Sequence, residues 1–490
     1  MINTPVIVGT IVVYMGICLV LGFIAYRRTS NLADYILGGR SLGSWVTAFS
    51  AQASDMSGWL LMGLPGLAYL AGFDAVWLAA GLILGTYLNW KFIAAPLRVR
   101  TEQLGDSLTM PDYFERRFDD RSRVLRTITA AFILVFFTFY ASSGFVATGR
   151  LFESLFGMDY HDAMFWGSIV MLAYTFFGGF LAVSWSDVLQ GTLMFFALLL
   201  VGAIAVGLAG GFGDMLATIE ARDPALLDPF LGGGGEALGV IGIASLLAWG
   251  LGYPGQPHIL ARFMAIRSAD EMPVARRVAM GWVIVVLMAA VVVGLAGAAI
   301  ISPPLAGPDT EKVFIQLSTT HLHPVLAGIC LSGILAAIMS TASAQLLVAS
   351  SAFAQDFYKG LFRRDPGRAE LLWIGRGAVL VIALLAYVLA LNPENKVLDL
   401  VAWAWAGFGA AFGPAIVLSL YWPRMTRNGA LAGMVAGGLT VILWKQGSGG
   451  IFALYEMVPG VVLSALAIWI VSNLQPAGSA DRARRPGGPT

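Results

Sequence analysis

Charge is scarce in this chain. Only 12% of its 490 residues are Asp, Glu, Lys or Arg, against about 25% in a water-soluble domain. With 58% hydrophobic residues and a mean hydropathy of +0.77, the composition excludes a soluble enzyme and fits a polytopic membrane protein. A formal net charge of +1 offers no basic field for nucleic acid. The two cysteines, Cys18 and Cys330, both fall in apolar stretches, which argues against a disulfide or metal framework. Of the four histidines only His321 and His323 are close together, and they read as a loop end rather than zinc spacing. A Gly-x-x-x-x-Gly-Lys-Ser/Thr phosphate loop is missing, which argues against ATP-driven pumping by this chain alone. No soluble segment has the length of a catalytic or kinase domain, and no obligate protein partner is expected. The N-terminus lacks a basic n-region, so the first apolar run is expected to remain as a helix rather than to be cleaved.

What the chain has in abundance is long apolar runs. A bilayer crossing needs about 20 apolar residues, and thirteen candidates fall near 5–26, 42–72, 74–95, 127–156, 161–183, 188–209, 238–262, 278–301, 324–354, 372–391, 397–422, 428–447 and 450–473. Basic residues bias strongly toward one side. With the N-terminus outside, only Arg150, Arg222, Lys312, Lys396 and Lys445 of the 30 Lys and Arg fall externally. An odd number of spans, N-out and C-in, satisfies that split. The internal loop 96–126 is expected to be partly helical around Pro111–Phe114. The external loop 210–237 is glycine-rich, and the tail 476–490 is expected to be disordered.

One acid sits inside membrane-length apolar sequence: Asp55, in Ser54-Asp55-Met56-Ser57-Gly58. A carboxylate at that depth costs about 2.5–3.5 kcal/mol on insertion scales, so its presence points to an ion, proton or substrate. The neighbouring Ser and Gly loosen the helix and free carbonyls that suit a hard cation. A second interruption reads Trp249-Gly250-Leu251-Gly252-Tyr253-Pro254-Gly255-Gln256-Pro257-His258. Two prolines and three glycines there are incompatible with a continuous α-helix. Irregular backbone at membrane depth survives only where it is buried or lines a cavity, and paired interruptions in two halves mark a transporter site. They suggest a 5+5 arrangement: an extra helix at 5–26, a first repeat at 42–209, a second at 238–422 and peripheral helices at 428–473, all one transmembrane domain within 1–475. Two unrelated proline kinks are the alternative.

The run Leu335-Ala336-Ala337-Ile338-Met339-Ser340-Thr341-Ala342-Ser343 fits a cation site equally with a small-residue packing stripe. As a site, it would combine the Ser340 and Thr341 hydroxyls with carbonyls of Ala337, Ala53 and Met56. Trp59, Trp249, Tyr253 and Tyr140 lie at or near the breaks and could pack on an aliphatic ring or a secondary ammonium, though each alone reads as core or interface packing. Asp187, in Ser184-Trp185-Ser186-Asp187, reads as a helix cap, a gate or an accessory cation ligand. Arg40 reads as a vestibule cap or as ordinary positive-inside anchoring.

The blocks Asp34–Ser41, Ala53–Gly66, Gly250–Phe263, Trp405–Pro414 and Arg424–Ala430 resemble the sodium:solute symporter family, nearest its proline-carrying branch, over about residues 5–473. That resemblance implies a LeuT-type inverted repeat, all-α with about 13 transmembrane helices, and inward symport of L-proline with Na+ across a bacterial inner membrane. It implies Na+ at Ala53, Met56, Ala337, Ser340 and Thr341, and a substrate-facing set of Asp55, Ser57, Gly58, Trp59, Tyr140, Trp249, Tyr253, Gln256 and Pro257. It places Arg40, Asp187 and Ser343 in gating or accessory cation roles. Pro254 and the glycine-rich external loop depart from the family pattern. Another small solute (a different amino acid, a betaine-like compound or pantothenate), proton coupling through Asp55, a solute sensor and a channel are the alternatives. The expected partners are proline, sodium and membrane lipid.

Overall fold

The structure is a computed structural model, and it describes residues 4–26, 36–175, 180–362 and 367–475. Apart from two isolated bridges, every described regular element is helical, as hydrocarbon demands of a chain whose backbone groups must be satisfied within each segment. Eight helices among the described residues are long and apolar enough to cross a membrane.

The chain opens with α1 (Thr4–Tyr26). A first interrupted rod follows, α2 (Ser44–Asp55) and α3 (Leu64–Ala71). Next come α4 (Ala75–Leu88), which runs through a π-helical turn at Asn89–Ala94 into α5 (Ala95–Gln103), and the short α6 (Met110–Arg117). The long helices α7 (Val124–Phe156), α8 (Tyr160–Thr175) and α9 (Phe180–Leu208) lead to an outer α10 (Phe212–Arg222). The second interrupted rod is α11 (Gly239–Leu247) and α12 (Pro257–Ala265). After it run α13 (Met272–Ile300), α14 (Val313–His321), α15 (Pro324–Ser351), α16 (Arg368–Leu389), α17 (Val397–Tyr421), α18 (Arg427–Trp444) and α19 (Met457–Leu474). At the margin, α1 leans on α9 and α15, and α18 and α19 pair with each other against α17.

Both expected interruptions are present, built differently. In the first, Met56 leaves helical geometry (φ −82°, ψ 79°), and the Ser57 N–H turns back to the Asp55 carbonyl at 3.0 Å. The rod resumes through a π-helical turn at Trp59–Gly63. The second is not a loose coil. Ala248–Gly255 winds as 3₁₀-helix with Pro254 inside it, and Gln256 is extended before Pro257 starts α12. Its glycines are demanded by close neighbours. A Cβ on Gly250 would run into the Gly81 carbonyl of α4, and one on Gly252 into the Trp405 indole of α17.

Three expectations need correction. The turn expected between 183 and 188 is absent: Ser184–Asp187 lie inside α9, so Asp187 is not a helix cap. The polar run tolerates helix because its groups find partners there, the Ser186 hydroxyl on the Ala182 carbonyl and Asp187 across to other helices. The last span begins at Met457 rather than 450, after a 3₁₀ turn at Gly450–Ala453. The 210–237 loop is partly helical, since α10 and the turn Pro224–Leu227 occupy much of it. Helical structure in the 96–126 loop is present as α5 and α6. Arg27, Arg28, the Asp34-Tyr35 part of the sequence block, Arg363, Arg364 and the tail from 476 lie outside the described residues.

Candidate ion and substrate site

The first interruption sits at the centre of two adjoining clusters. In one, α15 lies against the end of α2. The Ser340 hydroxyl is 2.7 Å from the Ala53 carbonyl and 3.1 Å from the Ala337 carbonyl, and the Thr341 hydroxyl is 3.4 Å from Ala53. All four residues are buried. These are neutral oxygens on two helices, the donor set a hard cation selects. Met56 is buried beside them; among the described residues no hydroxyl of α15 bonds to its carbonyl. Ser343, one turn along, bonds back to the Met339 carbonyl at 2.5 Å.

In the second cluster, the Asp55 carboxylate faces the opposite break while its carbonyl is held by α7 and by its own rod. The Tyr253 hydroxyl donates to Asp55 Oδ2 at 3.0 Å. The Tyr140 hydroxyl and the Trp59 indole N–H each donate to the Asp55 carbonyl at 3.2 Å. Asp55 Oδ1 and the Ser57 hydroxyl are buried without a hydrogen-bond partner, a costly state for polar groups inside a protein and one a bound ligand relieves. The Trp59 and Trp249 rings stand 6.3 Å apart, and Trp249 stacks on Tyr455 at 5.7 Å. Gly58 is closed against α7, where an added Cβ would stand 2.9 Å from that of Ala147. Gln256 turns away: its amide nitrogen reaches the carbonyls of Gly252 and Trp405 at 3.1 and 3.3 Å. Pro257 opens α12 and borders a small apolar cavity with Ala261 and Met264.

Arg40 and Asp187 lie elsewhere. Arg40 stitches three segments, bonding Asp106 at 2.6 Å, the Met264 carbonyl at 2.6 Å and the Ser107 carbonyl at 3.0 Å. Beside it Leu42 pairs with Ile266 in a single parallel bridge, and the Glu271 carboxylate accepts from the N–H and hydroxyl of Ser44 at 3.0 and 2.9 Å. The start of the first rod is therefore tied to the end of the second. Glu271 is held below the usual carboxylate range: the desolvation that would raise it is outweighed by hydrogen bonds from Arg267 and Ser44. At the opposite end, the two oxygens of Glu311 accept from the N–H groups of Val397 and Leu398 at 2.8 and 3.0 Å, capping α17. Glu311 is pushed up to about 7 by burial despite those two bonds.

Sequence reading missed Arg262. It is counted there with the loop arginines, yet it is fully buried, 3.4 Å from Asp187 and 3.1 Å from the Ser50 hydroxyl, which itself donates to Asp187 at 2.6 Å. The only signal was an arginine four residues after His258 on the apolar face of α12.

Residues 35–437 match the model of the sodium:solute symporter family. The chain belongs to the sodium:solute symporter family. This symporter is 53% identical over 489 residues to the sodium/proline symporter of Escherichia coli strain K12, covering 99% of this chain and 96% of that one. It is 51% identical to the high-affinity proline transporter PutP of Bacillus subtilis strain 168, covering 94% and 96%. Among solved structures, it superposes on a substrate-bound, outward-open Na+-coupled sialic acid symporter with a TM-score of 0.78 at 19% identity, covering 96% of this chain and 98% of the other. The nucleobase-cation-symport-1 family transporter MHP1 follows at a TM-score of 0.54 and 14% identity, covering 93% and 99%. The chain therefore shares the all-helical fold of these two transporters.

Proposed function

We propose that this symporter imports L-proline with Na+ across a bacterial inner membrane by alternating access, using about thirteen crossings in a 5+5 inverted repeat with one helix before it and two after. One observation carries the reading. Ala53, whose carbonyl meets the α15 hydroxyls, and Asp55, whose carboxylate meets Tyr253 of the second break, are two residues apart on one interrupted helix. An ion and a solute bound at these clusters share a hinge. The near-full-length relatives named for sodium and proline support the choice of cargo.

In this reading Na+ sits among the oxygens of Ala53, Met56, Ala337, Ser340 and Thr341. A cation displaces the hydroxyl hydrogens from between these oxygens and fixes α2 to α15. Proline takes the space bounded by Trp59, Trp249, Tyr140, Tyr253 and Pro257, with the free Asp55 and Ser57 oxygens as polar partners for its ammonium. Gly58 leaves room at the turn, and Gln256 holds the second break onto α17. Arg40 closes the arginine-rich end, which faces the cytoplasm with the C-terminus, and Glu311 closes the other. Opening inward must break the Arg40–Met264 and Ser44–Glu271 contacts. Opening outward must release α17 from Glu311. Asp187 and Arg262 form an internal charged brace near the inner gate, and Asp187 and Ser343 would serve an accessory cation. Coupling is reciprocal: Na+ raises proline affinity by the factor by which proline raises Na+ affinity.

The test is uptake of labelled proline into proteoliposomes holding the full chain, with and without an inward Na+ gradient. Accumulation that needs Na+ and falls to unlabelled proline supports the reading. Accumulation driven by a proton gradient alone, or by another solute in preference, overturns it. Trans-acceleration by internal proline separates a carrier from a channel.

A further inference from the structure

Outside the ion and substrate site, the molecule carries an apolar groove of about 520 Å³. That volume lies within the roughly 300–1,000 Å³ range of small-molecule sites. Its origin is legible in the residues. Gly85 on α4, Gly250 and Pro254 on the second break, Gly413 on α17 and Ala465 on α19 line it, and none carries a side chain long enough to fill the space between the helices. Leu88, Phe92, Leu251 and Tyr421 along its edge are exposed, so the groove opens sideways into the bilayer rather than toward either aqueous end.

One end is closed by a specific contact. Pro96 has no N–H to give to the Phe92 carbonyl one turn earlier, and the Tyr421 hydroxyl of α17 donates to that carbonyl instead. Two cations stand at this end. The Lys91 ammonium rests 5.2 Å over the Phe92 ring, and the exposed Arg424 lies on the turn directly after Tyr421. Among the described residues neither has a carboxylate partner. Lys91, on the π-helical turn between α4 and α5, and Arg424 both belong to the basic segments that the positive-inside asymmetry assigns to the cytoplasmic side. A groove at membrane depth has lipid as its solvent, and two unpaired cations at the headgroup level favour an anionic one.

We propose that this groove holds an acyl chain of an anionic phospholipid from the inner leaflet, with its headgroup on Lys91 and Arg424. The chain lies along Gly250, Leu251 and Pro254. That is the lipid side of the turn whose other side carries Tyr253, and the Asn89 amide, in the groove wall, donates to the Tyr253 carbonyl at 3.4 Å. Pro254, the residue that departs from the family pattern, thus serves the lipid face of the break. Hydrocarbon in the groove gains no hydrophobic energy over hydrocarbon in the bilayer, so selectivity must come from the two cations, each strengthening anionic binding about fivefold.

The experiment is native mass spectrometry of the purified full chain loaded with phosphatidylglycerol or phosphatidylethanolamine of identical acyl chains. The wild type is expected to retain one phosphatidylglycerol about 25-fold more strongly, the product of two such cations. Lys91→Gln with Arg424→Gln is expected to abolish that preference, and Ala465→Phe to displace the lipid of either kind. Equal retention of both lipids by the wild type, or an unchanged preference in the double variant, overturns the proposal. So does undiminished retention by Ala465→Phe. The double variant alters only exposed side chains and decides the matter even where Ala465→Phe does not fold. Lipid retention is read without any transport, so its outcome is independent of the proline assignment.

Discussion

The two interruptions invite comparison because they solve one problem by opposite means. The first contains a single glycine, and no proline lies between Ser54 and Trp59. It breaks because side chains take its carbonyls: Ser340 and Thr341 of α15 reach that of Ala53, while Tyr140 of α7 and Trp59 of the same rod reach that of Asp55. The second is crowded with helix breakers yet stays wound as 3₁₀-helix, pressed so closely on α4 and α17 that side chains are excluded at Gly250 and Gly252. Carbonyls offered to neighbours suit an ion; a rigid turn bearing Tyr253 and Trp249 suits a solute. Changes in the first break should therefore alter function before folding, and changes in the second should alter folding first.

The sharpest way to break that contrast is at Asp55. Asp55→Asn is expected to cut Na+-driven proline uptake by two orders of magnitude or more in proteoliposomes, about the effect of losing a buried charged contact worth roughly 3 kcal/mol; uptake near the wild-type rate would remove this residue from the site. Next in size, Ser340→Ala with Thr341→Ala should raise the Na+ concentration for half-maximal uptake by at least about tenfold, since two neutral ligands are lost. Tyr253→Phe should instead weaken proline binding by about tenfold, the scale of one hydrogen bond to a carboxylate. Equal shifts of the Na+ and proline dependences in both variants would erase the division into two clusters.

A smaller effect is expected at Gly250. Gly250→Val forces a side chain into the Gly81 carbonyl, an overpacking that typically costs about 1–3 kcal/mol. The yield of monodisperse protein should fall, and a normal yield would contradict the close approach of α4. The smallest effect concerns Asp120, in the loop before α7. Burial alone would raise its carboxyl, but hydrogen bonds from the Ser122 hydroxyl, the Leu125 N–H and Arg427 outweigh it and hold it below the usual range. A carboxyl depressed in the folded state stabilises above its ordinary value near 3.9, and that stability is lost as pH falls through the depressed value. Thermal unfolding in detergent from pH 6 toward pH 3 should therefore destabilise the wild type more than Asp120→Asn. Parallel pH profiles would show that the loop does not depend on this charge.

Much of the site was readable from residue types. Asp55 stood out because an acid in an apolar run is expensive, and Tyr253 because prolines and glycines surround it. The residues that escaped reading did so for one reason: their partners are remote in sequence. Asp187 and Arg262 are 75 residues apart and look like a cap and a loop charge until α9 and α12 are brought together. Arg150, counted on the external side, is buried in α7 and donates to the Pro393 carbonyl, 243 residues away. Met56 and Gln256 fall in the expected breaks, but only the folded chain shows Gln256 turned toward α17.

Composition and the long apolar runs determined that this chain lives in a membrane as helices, because a run of about 20 apolar residues can satisfy its backbone in hydrocarbon only within itself, and 12% charge leaves too little surface for water. It also determined where two of those helices fail, since proline, glycine and a stranded carboxylate act locally. Which oxygens meet across the breaks, which arginines are inside, and where small residues leave a groove open to lipid were decided only by tertiary structure. Those properties depend on distances between helices, and no local preference encodes a distance to a segment hundreds of residues away.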